Sequence, residues 1–203
     1  PAAPRSDLST PTSASSAREP GPEGLLGFPV VPERPAPDLT LDASSGGAWR
    51  LAEQRGRVVA VFFGYTHCPD VCPQTLNLAR QALLQLDEGP RADVTVALVT
   101  VDPERDDAER LARYVAGFGP EFLGLRGEPE QVAAVAEAYG VRFEKELPEG
   151  ADAGDPGPDY TVAHSGSVFI VDASGQLRST FKGAFTPDEM AHDLRLLLEE
   201  RRP

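Results

Sequence analysis

Two cysteines and three histidines are the soft and nitrogen donors of this 203-residue chain, and their spacing narrows the chemistry. Cys68 and Cys72 stand at i and i+4 in the run Phe62–Leu76, FFGYTHCPDVCPQTL, where Pro69 and Pro73 stiffen the loop. A helix expected to start there would stabilise a thiolate, because its N-terminal N–H groups favour negative charge. This spacing lets the sulfurs close either a disulfide or a two-thiolate metal clamp, and geometry alone does not choose between them. Thiolates with an imidazole suit Cu(I), whereas structural zinc usually takes four protein ligands. A third ligand is therefore the discriminating feature. His67 adjoins Cys68 but points away if the loop is extended, and His192 sits among polar neighbours in a predicted last helix. His164 ends a predicted strand before a Ser-Gly turn, within reach of a site at the sheet edge. For each histidine alone, a solvated or structural role is the alternative.

The elements that must position these residues follow from the pattern of apolar residues. Val58–Phe63 is six apolar residues in succession, which suits a strand covered on both faces by helices. Pro73 fits the first position of a helix whose apolar face is Leu76, Ala79, Leu83 and Leu86, ending near Gly89-Pro90. Val94–Val101 is a second buried strand, and the acids after Pro103 open a helix running to about Gly117. Phe122–Leu125 is a short strand or loop, Gln131–Tyr139 a helix closed by Gly140, and Val141–Phe143 a strand. Ser167–Val171 and Gln176–Phe181 flank the turn Asp172–Gly175 as a hairpin. Thr186-Pro187-Asp188-Glu189 caps a final helix. Asp38–Asp42 and Trp49–Leu51 give an N-terminal β-hairpin. The fold class expected is α/β, a sandwich with a central mixed sheet flanked by helices and the cysteines at the carboxyl end of a central strand.

Residues 1–35 are expected to be a flexible Pro/Ser/Ala-rich tether, since they offer little apolar surface against the entropy of ordering them; Leu25–Val31 is the part expected to touch the domain, which spans 36–203. Leu147–Pro158, rich in Pro and Gly, is expected to be an exposed insertion. A formal net charge of −13, from 19 basic and 32 acidic residues, argues against a nucleic-acid partner. No stretch approaches the ~20 apolar residues of a membrane helix. Two closely spaced cysteines point to a reactive or metal-binding pair rather than a disulfide scaffold.

Three stretches in consistent order resemble a known family: Phe63-Gly-Tyr-Thr-His-Cys-Pro-Asp-Val-Cys-Pro73, then Val101-Asp-Pro-Glu-Arg-Asp106, then Asp159-Tyr160 with His164-Ser165. They are similar to the Sco/SenC copper chaperones of cytochrome c oxidase assembly, and the resemblance covers about residues 36–200. It implies a thioredoxin-like fold and copper as the cofactor, as Cu(I) with Cu(II) left open. By position, Cys68, Cys72 and His164 inherit the role of metal ligands. One departure is that Ala163 stands where members commonly carry Asp, a residue able to orient the imidazole as an outer partner, so the fine tuning of the site is in question rather than the ligand set. Asp159 is the candidate to substitute for it. Asp70 and Asp102 are expected to form turns and caps rather than to touch the metal.

The function the resemblance implies is a metallochaperone delivering copper to the dinuclear copper site of cytochrome c oxidase. Its expected partners are the copper-site subunit, another periplasmic copper chaperone or a thioredoxin-like reductant. The alternative is a thiol–disulfide oxidoreductase keeping the oxidase cysteines reduced, with Cys68 and Cys72 as catalytic pair. Ordinary thioredoxin-like reductases use two residues between their cysteines and a proline facing them, whereas here three intervene and no proline occurs from Asp159 to Thr186. A structural Cys68–Cys72 disulfide is the third reading, although so short a loop removes little chain entropy. The expected location is extracytoplasmic, on the periplasmic face of a bacterial inner membrane or the outer face of the cell membrane, with a membrane anchor upstream of Pro1. Usage of 17 Arg against two Lys tilts the expectation toward a bacterial source.

Overall fold

In the computed structural model the described residues are 20, 21, 23–148 and 159–201. Most of the expected tether and the 149–158 part of the expected insertion lie outside them.

The centre is β4 (Val58–Gly64), all seven residues of which are buried. It pairs in parallel with β5 (Val94–Thr100), register Phe62 opposite Leu98, and β5 pairs in parallel with β6 (Phe122–Arg126). Parallel neighbours need crossovers, supplied by α1 (Val71–Leu83) and α3 (Ala108–Ala116). On the other side of β4 run β9 (Val168–Val171) and β10 (Gln176–Phe181), antiparallel as expected of a hairpin. Asp172 makes that turn by accepting the N–H groups of Ser174 and Gln176, each at 2.9 Å. The N-terminal hairpin, β2 (Thr40–Ala43) with β3 (Ala48–Arg50), extends the sheet beyond β6, and β1 (Phe28–Pro35) closes the opposite edge. The order is β1-β10-β9-β4-β5-β6-β2-β3, a mixed eight-stranded sheet flanked by helices. A separate two-stranded ribbon pairs β7 (Phe143–Glu146) with β8 (Thr161–His164).

Several boundaries differ from the sequence reading. Helix α1 starts two residues before Pro73, which sits in the first turn where no intrahelical N–H bond is lost. It ends at Leu83 because Gly89-Pro90 belongs to a separate turn, α2 (Glu88–Arg91). Helix α4 (Pro129–Ala138) begins with Pro at its start, and Gly140, at φ 70°, turns the chain so that β7 lies two residues later than expected. The final helix, α5 (Pro187–Glu200), carries the expected capping box, Thr186 accepting Glu189 N–H at 3.2 Å and the Glu189 carboxylate accepting Thr186 N–H at 2.8 Å.

The expected division at residue 35 does not coincide with where pairing begins. Leu25 is fully buried and β1 is hydrogen-bonded to β10. Two polar centres hold this arm. Buried Asp193 of α5 accepts the N–H groups of Leu26 at 2.7 Å and Gly27 at 3.0 Å and the Ser179 hydroxyl at 3.1 Å. Arg178 pairs with Glu23, Glu33, Asp172 and Glu200 at 3.3, 2.9, 3.1 and 2.6 Å. A count of apolar residues misses both, because the arm is fastened by its backbone N–H groups and its acids as well as by Leu25.

Candidate metal centre

The parallel strand β4 ends at Gly64, and the chain must turn over the carboxyl end of the sheet before α1 begins. Cys68 lies in that loop and Cys72 in the first turn of α1, so the Cys72 N–H points at Cys68 Sγ across 3.4 Å. Cys72 is fully buried while Cys68 is partly exposed, and both thiols are free. Burial drives the Cys72 thiol far above the ordinary thiol range, so a nearby cation is what would favour its thiolate.

His164, the last residue of β8, arrives from the opposite side with Nε2 3.1 Å from Cys72 Sγ. Its Nδ1 faces the Ser165 carbonyl at 3.3 Å. A carbonyl only accepts, so the tautomer with its proton on Nδ1 satisfies this contact and leaves the Nε2 lone pair for the sulfurs. The ring stands edge-on to Phe62 and Tyr65, centroids 6.0 and 5.7 Å away. Burial lowers its pKa, which keeps it neutral and fit to donate to a metal. The donor atoms of Cys68, Cys72 and His164 all lie within 4.8 Å of one another. Two sulfurs and one imidazole nitrogen form a soft set of low coordination number, the chemistry that suits a monovalent copper ion.

The other candidates go elsewhere. His67 Nδ1 lies 3.5 Å from Asp106 Oδ1, turned away from the sulfurs as expected of an extended loop. His192 Nε2 bonds the Gly24 carbonyl at 2.9 Å, fastening the N-terminal arm. Asp70 occupies the N-cap position of α1 without a side-chain cap bond. Asp159 is exposed, and the Ser165 carbonyl rather than a carboxylate partners the His164 ring. The exposed Ala163 lies opposite Glu144.

Asp102 makes the expected turn through its carbonyl, which accepts Arg105 N–H at 3.2 Å and Asp106 N–H at 3.0 Å, while its side chain does something else. Its Oδ1 accepts the Tyr160 hydroxyl at 2.6 Å and its Oδ2 accepts Arg105 Nε at 2.5 Å, in a buried position. Asp106 was not singled out from sequence. Fully buried, it accepts Thr66 N–H at 2.9 Å, Thr66 Oγ1–H at 2.6 Å and Thr100 Oγ1–H at 2.7 Å, pinning the start of the cysteine loop to the end of β5. The signal that could have found it is the pairing of small hydroxyl residues, Thr66 and Thr100, at the ends of two adjacent strands.

Gly64 lies directly beneath the site. A Cβ there would come within 2.7 Å of Cys72 Sγ and 2.9 Å of Phe62 Cε1, closer than real Cβ contacts occur. Gly64→Ala is expected to cost about 1–3 kcal/mol by overpacking. Urea unfolding measures this loss, and metal titration of the folded variant should show weaker binding because the sulfur is displaced.

A family model described as SCO1/SenC matches residues 32–199. The chain belongs to the SCO1/SenC family. Among its curated relatives is the human protein named SCO2 homolog, mitochondrial, 36% identical over 159 residues, covering 78% of this chain and 58% of that protein. The chain thus spans little more than half of that relative's length. Of solved structures, that of Bradyrhizobium japonicum ScoI with copper bound superimposes with TM-score 0.70 at 31% identity, covering 81% of this chain and 99% of that one. The solution structure of apo Sco1 from Thermus thermophilus gives TM-score 0.69 at 34% identity over 87% of this chain and 96% of that one. The thioredoxin-like arrangement read from the sequence is thus the arrangement this SCO1/SenC chain has.

Proposed function

We propose that this chain is a copper metallochaperone, in which Cys68, Cys72 and His164 hold one copper ion and pass it to the subunit carrying the dinuclear copper site of cytochrome c oxidase. The observation that carries this reading is the convergence of the three donor atoms within 4.8 Å. Two features of the chemistry support it further. The partly exposed Cys68 offers a route for a partner's sulfur to attack the ion, while buried Cys72 and neutral His164 retain it. Among the described residues the group has three donors, one short of the four that structural zinc usually takes. The copper seen in the Bradyrhizobium relative supports the choice of metal. The same function places the domain outside the cytoplasm, membrane-anchored, receiving copper from another periplasmic chaperone.

The test is transfer. Copper-loaded chain mixed with the soluble copper-free domain of the oxidase subunit, its thiols reduced, should lose its copper to that domain after separation. Copper remaining on the donor would overturn the delivery reading.

A second reading is favoured by the two free thiols, with Cys72 N–H directed at Cys68 Sγ. That N–H favours Cys68 as the attacking sulfur on a partner disulfide. The exchange would leave Cys68–Cys72 as a disulfide and the partner with two thiols, so two electrons pass to the partner. Mixed with an oxidised acceptor domain, the reduced chain should then yield two acceptor thiols for each Cys68–Cys72 disulfide it forms.

A further inference from the structure

His164 reaches the sulfurs from outside the main sheet. Among the described residues, β7 and β8 pair with each other and with none of the eight other strands. Backbone pairing therefore does not dock the ribbon on the domain, and a cluster of side-chain bonds fastens it to the turn at 102–105. Tyr160 precedes β8 and donates its hydroxyl to Asp102 Oδ1 at 2.6 Å. Arg105 Nε donates to Asp102 Oδ2 at 2.5 Å and its Nη1 to the Tyr160 carbonyl at 2.9 Å. The same guanidinium lies 3.5 Å from the Tyr160 ring centroid. Lys145 of β7 pairs with Glu104 at 2.6 Å.

These fastenings bear on His164 through strand geometry. Successive side chains of a strand alternate between faces, so Tyr160, Val162 and His164 share one face. Burial agrees: Tyr160 and Val162 are buried, whereas Thr161 and Ala163 are exposed. Val162 N–H also donates to the Tyr65 hydroxyl at 3.1 Å, tying the ribbon to the loop that holds the cysteines. The same short segment, 100–106, thus holds both halves of the centre: Asp106 fixes the cysteine loop through Thr66, and Asp102 with Arg105 fixes the histidine ribbon through Tyr160.

We infer that Asp102, Arg105 and Tyr160 form a latch that positions His164 as third donor, independently of the two sulfurs. This rests on the copper reading for its metal but not for its mechanical content. Hydrogen bonds between buried, charged partners are strong and leave a costly orphan when one is removed, so loosening the latch should free the ribbon without unseating Cys68 and Cys72.

The experiment uses Tyr160→Phe, which deletes one hydroxyl, and Arg105→Ala. In the metal-free protein, amide exchange at Val162 should accelerate in both variants while exchange at Thr66 stays unchanged. Unaltered exchange at Val162, or equal acceleration at both amides, would overturn the latch whether or not the chain binds copper. With Cu(I), both variants should retain one equivalent through the sulfurs, with imidazole scattering reduced in the X-ray absorption spectrum. Affinity should fall about tenfold to a hundredfold, as for lost outer partners of metal ligands. The decisive comparison is the double variant His164→Ala with Tyr160→Phe, which should bind no more weakly than His164→Ala alone. Additive losses, or full imidazole coordination in Tyr160→Phe, would overturn the inference. Absence of copper binding in the unaltered chain would instead overturn the proposed function. Should Arg105→Ala fail to fold, Tyr160→Phe carries the test.

Discussion

Replacing Cys72 with Ser is expected to lower Cu(I) affinity by more than about a hundredfold, beyond the range for removal of an outer partner of a ligand. The reason lies in the donor rather than in the fold. A serine hydroxyl is hard and stays protonated, so it offers a monovalent copper ion little, while Cys68 and His164 alone make a two-donor site. The substitution is close in volume, and His164 Nε2, 3.1 Å from the present sulfur, can accept a hydrogen bond from the new hydroxyl. Stability should therefore change little. Competition against a chromophoric Cu(I) chelator under anaerobic conditions measures the first quantity and urea unfolding the second. A variant that bound copper as the original does would show that Cys72 is not a ligand.

The second large effect is on stability. Asp193→Ala removes an acceptor shared by Leu26 N–H, Gly27 N–H and the Ser179 hydroxyl, of which the last two make buried bonds. Each such donor costs about 1–3 kcal/mol, so a total of about 3–5 kcal/mol is expected and the arm carrying β1 should come away first. Amide exchange at Leu26 and Gly27 reports that release. The pH dependence carries a sign as well. Burial raises the Asp193 carboxyl above the ordinary carboxylate range, more than the N–H and hydroxyl bonds lower it. The native state then binds the proton more tightly than the unfolded chain. The corresponding stability is complete below the unfolded pKa and is lost as pH rises through the higher folded value. Asp193→Ala should abolish that slope, and an unchanged slope would reassign it to another group.

Much of the centre was legible because its parts are local. The run Val58–Phe63 announced a doubly covered strand, and the cysteines had to follow its carboxyl end. The Asp172–Gly175 turn and the Thr186–Glu189 capping box carry their own hydrogen-bond chemistry, so the hairpin and last helix fell where expected. The proposed ligand role of His164 came from the family resemblance and not from spacing, since three histidines were available. What was hidden depends on partners distant in sequence. Asp102 is the turn residue it looked like, but its side-chain partner Tyr160 is 58 positions away. Asp106 binds Thr66 across 40 positions. The arm was expected to touch the domain over Leu25–Val31, but its fastening to Asp193 was hidden because it spans 167 positions. Composition correctly marks such a segment as poor in apolar surface, but it cannot register a buried carboxylate waiting for two N–H groups.

The division of labour at the centre also bears on Ala163. A carboxylate beside His164 would raise the basicity of its ring. Here the Ser165 carbonyl faces Nδ1, and the latch at Asp102 and Arg105 fixes the ribbon. The missing carboxylate is therefore expected to show in how tightly copper is held rather than in which atoms hold it.

The central claim is that Cys68, Cys72 and His164 together hold one copper ion. Anaerobic titration of the reduced protein with Cu(I) tests it most directly, repeated on a chain carrying Cys68→Ser, Cys72→Ser and His164→Ala. The account predicts an end-point at one equivalent for the original chain and no saturable binding for the triple variant. An end-point at one equivalent in the triple variant would contradict it.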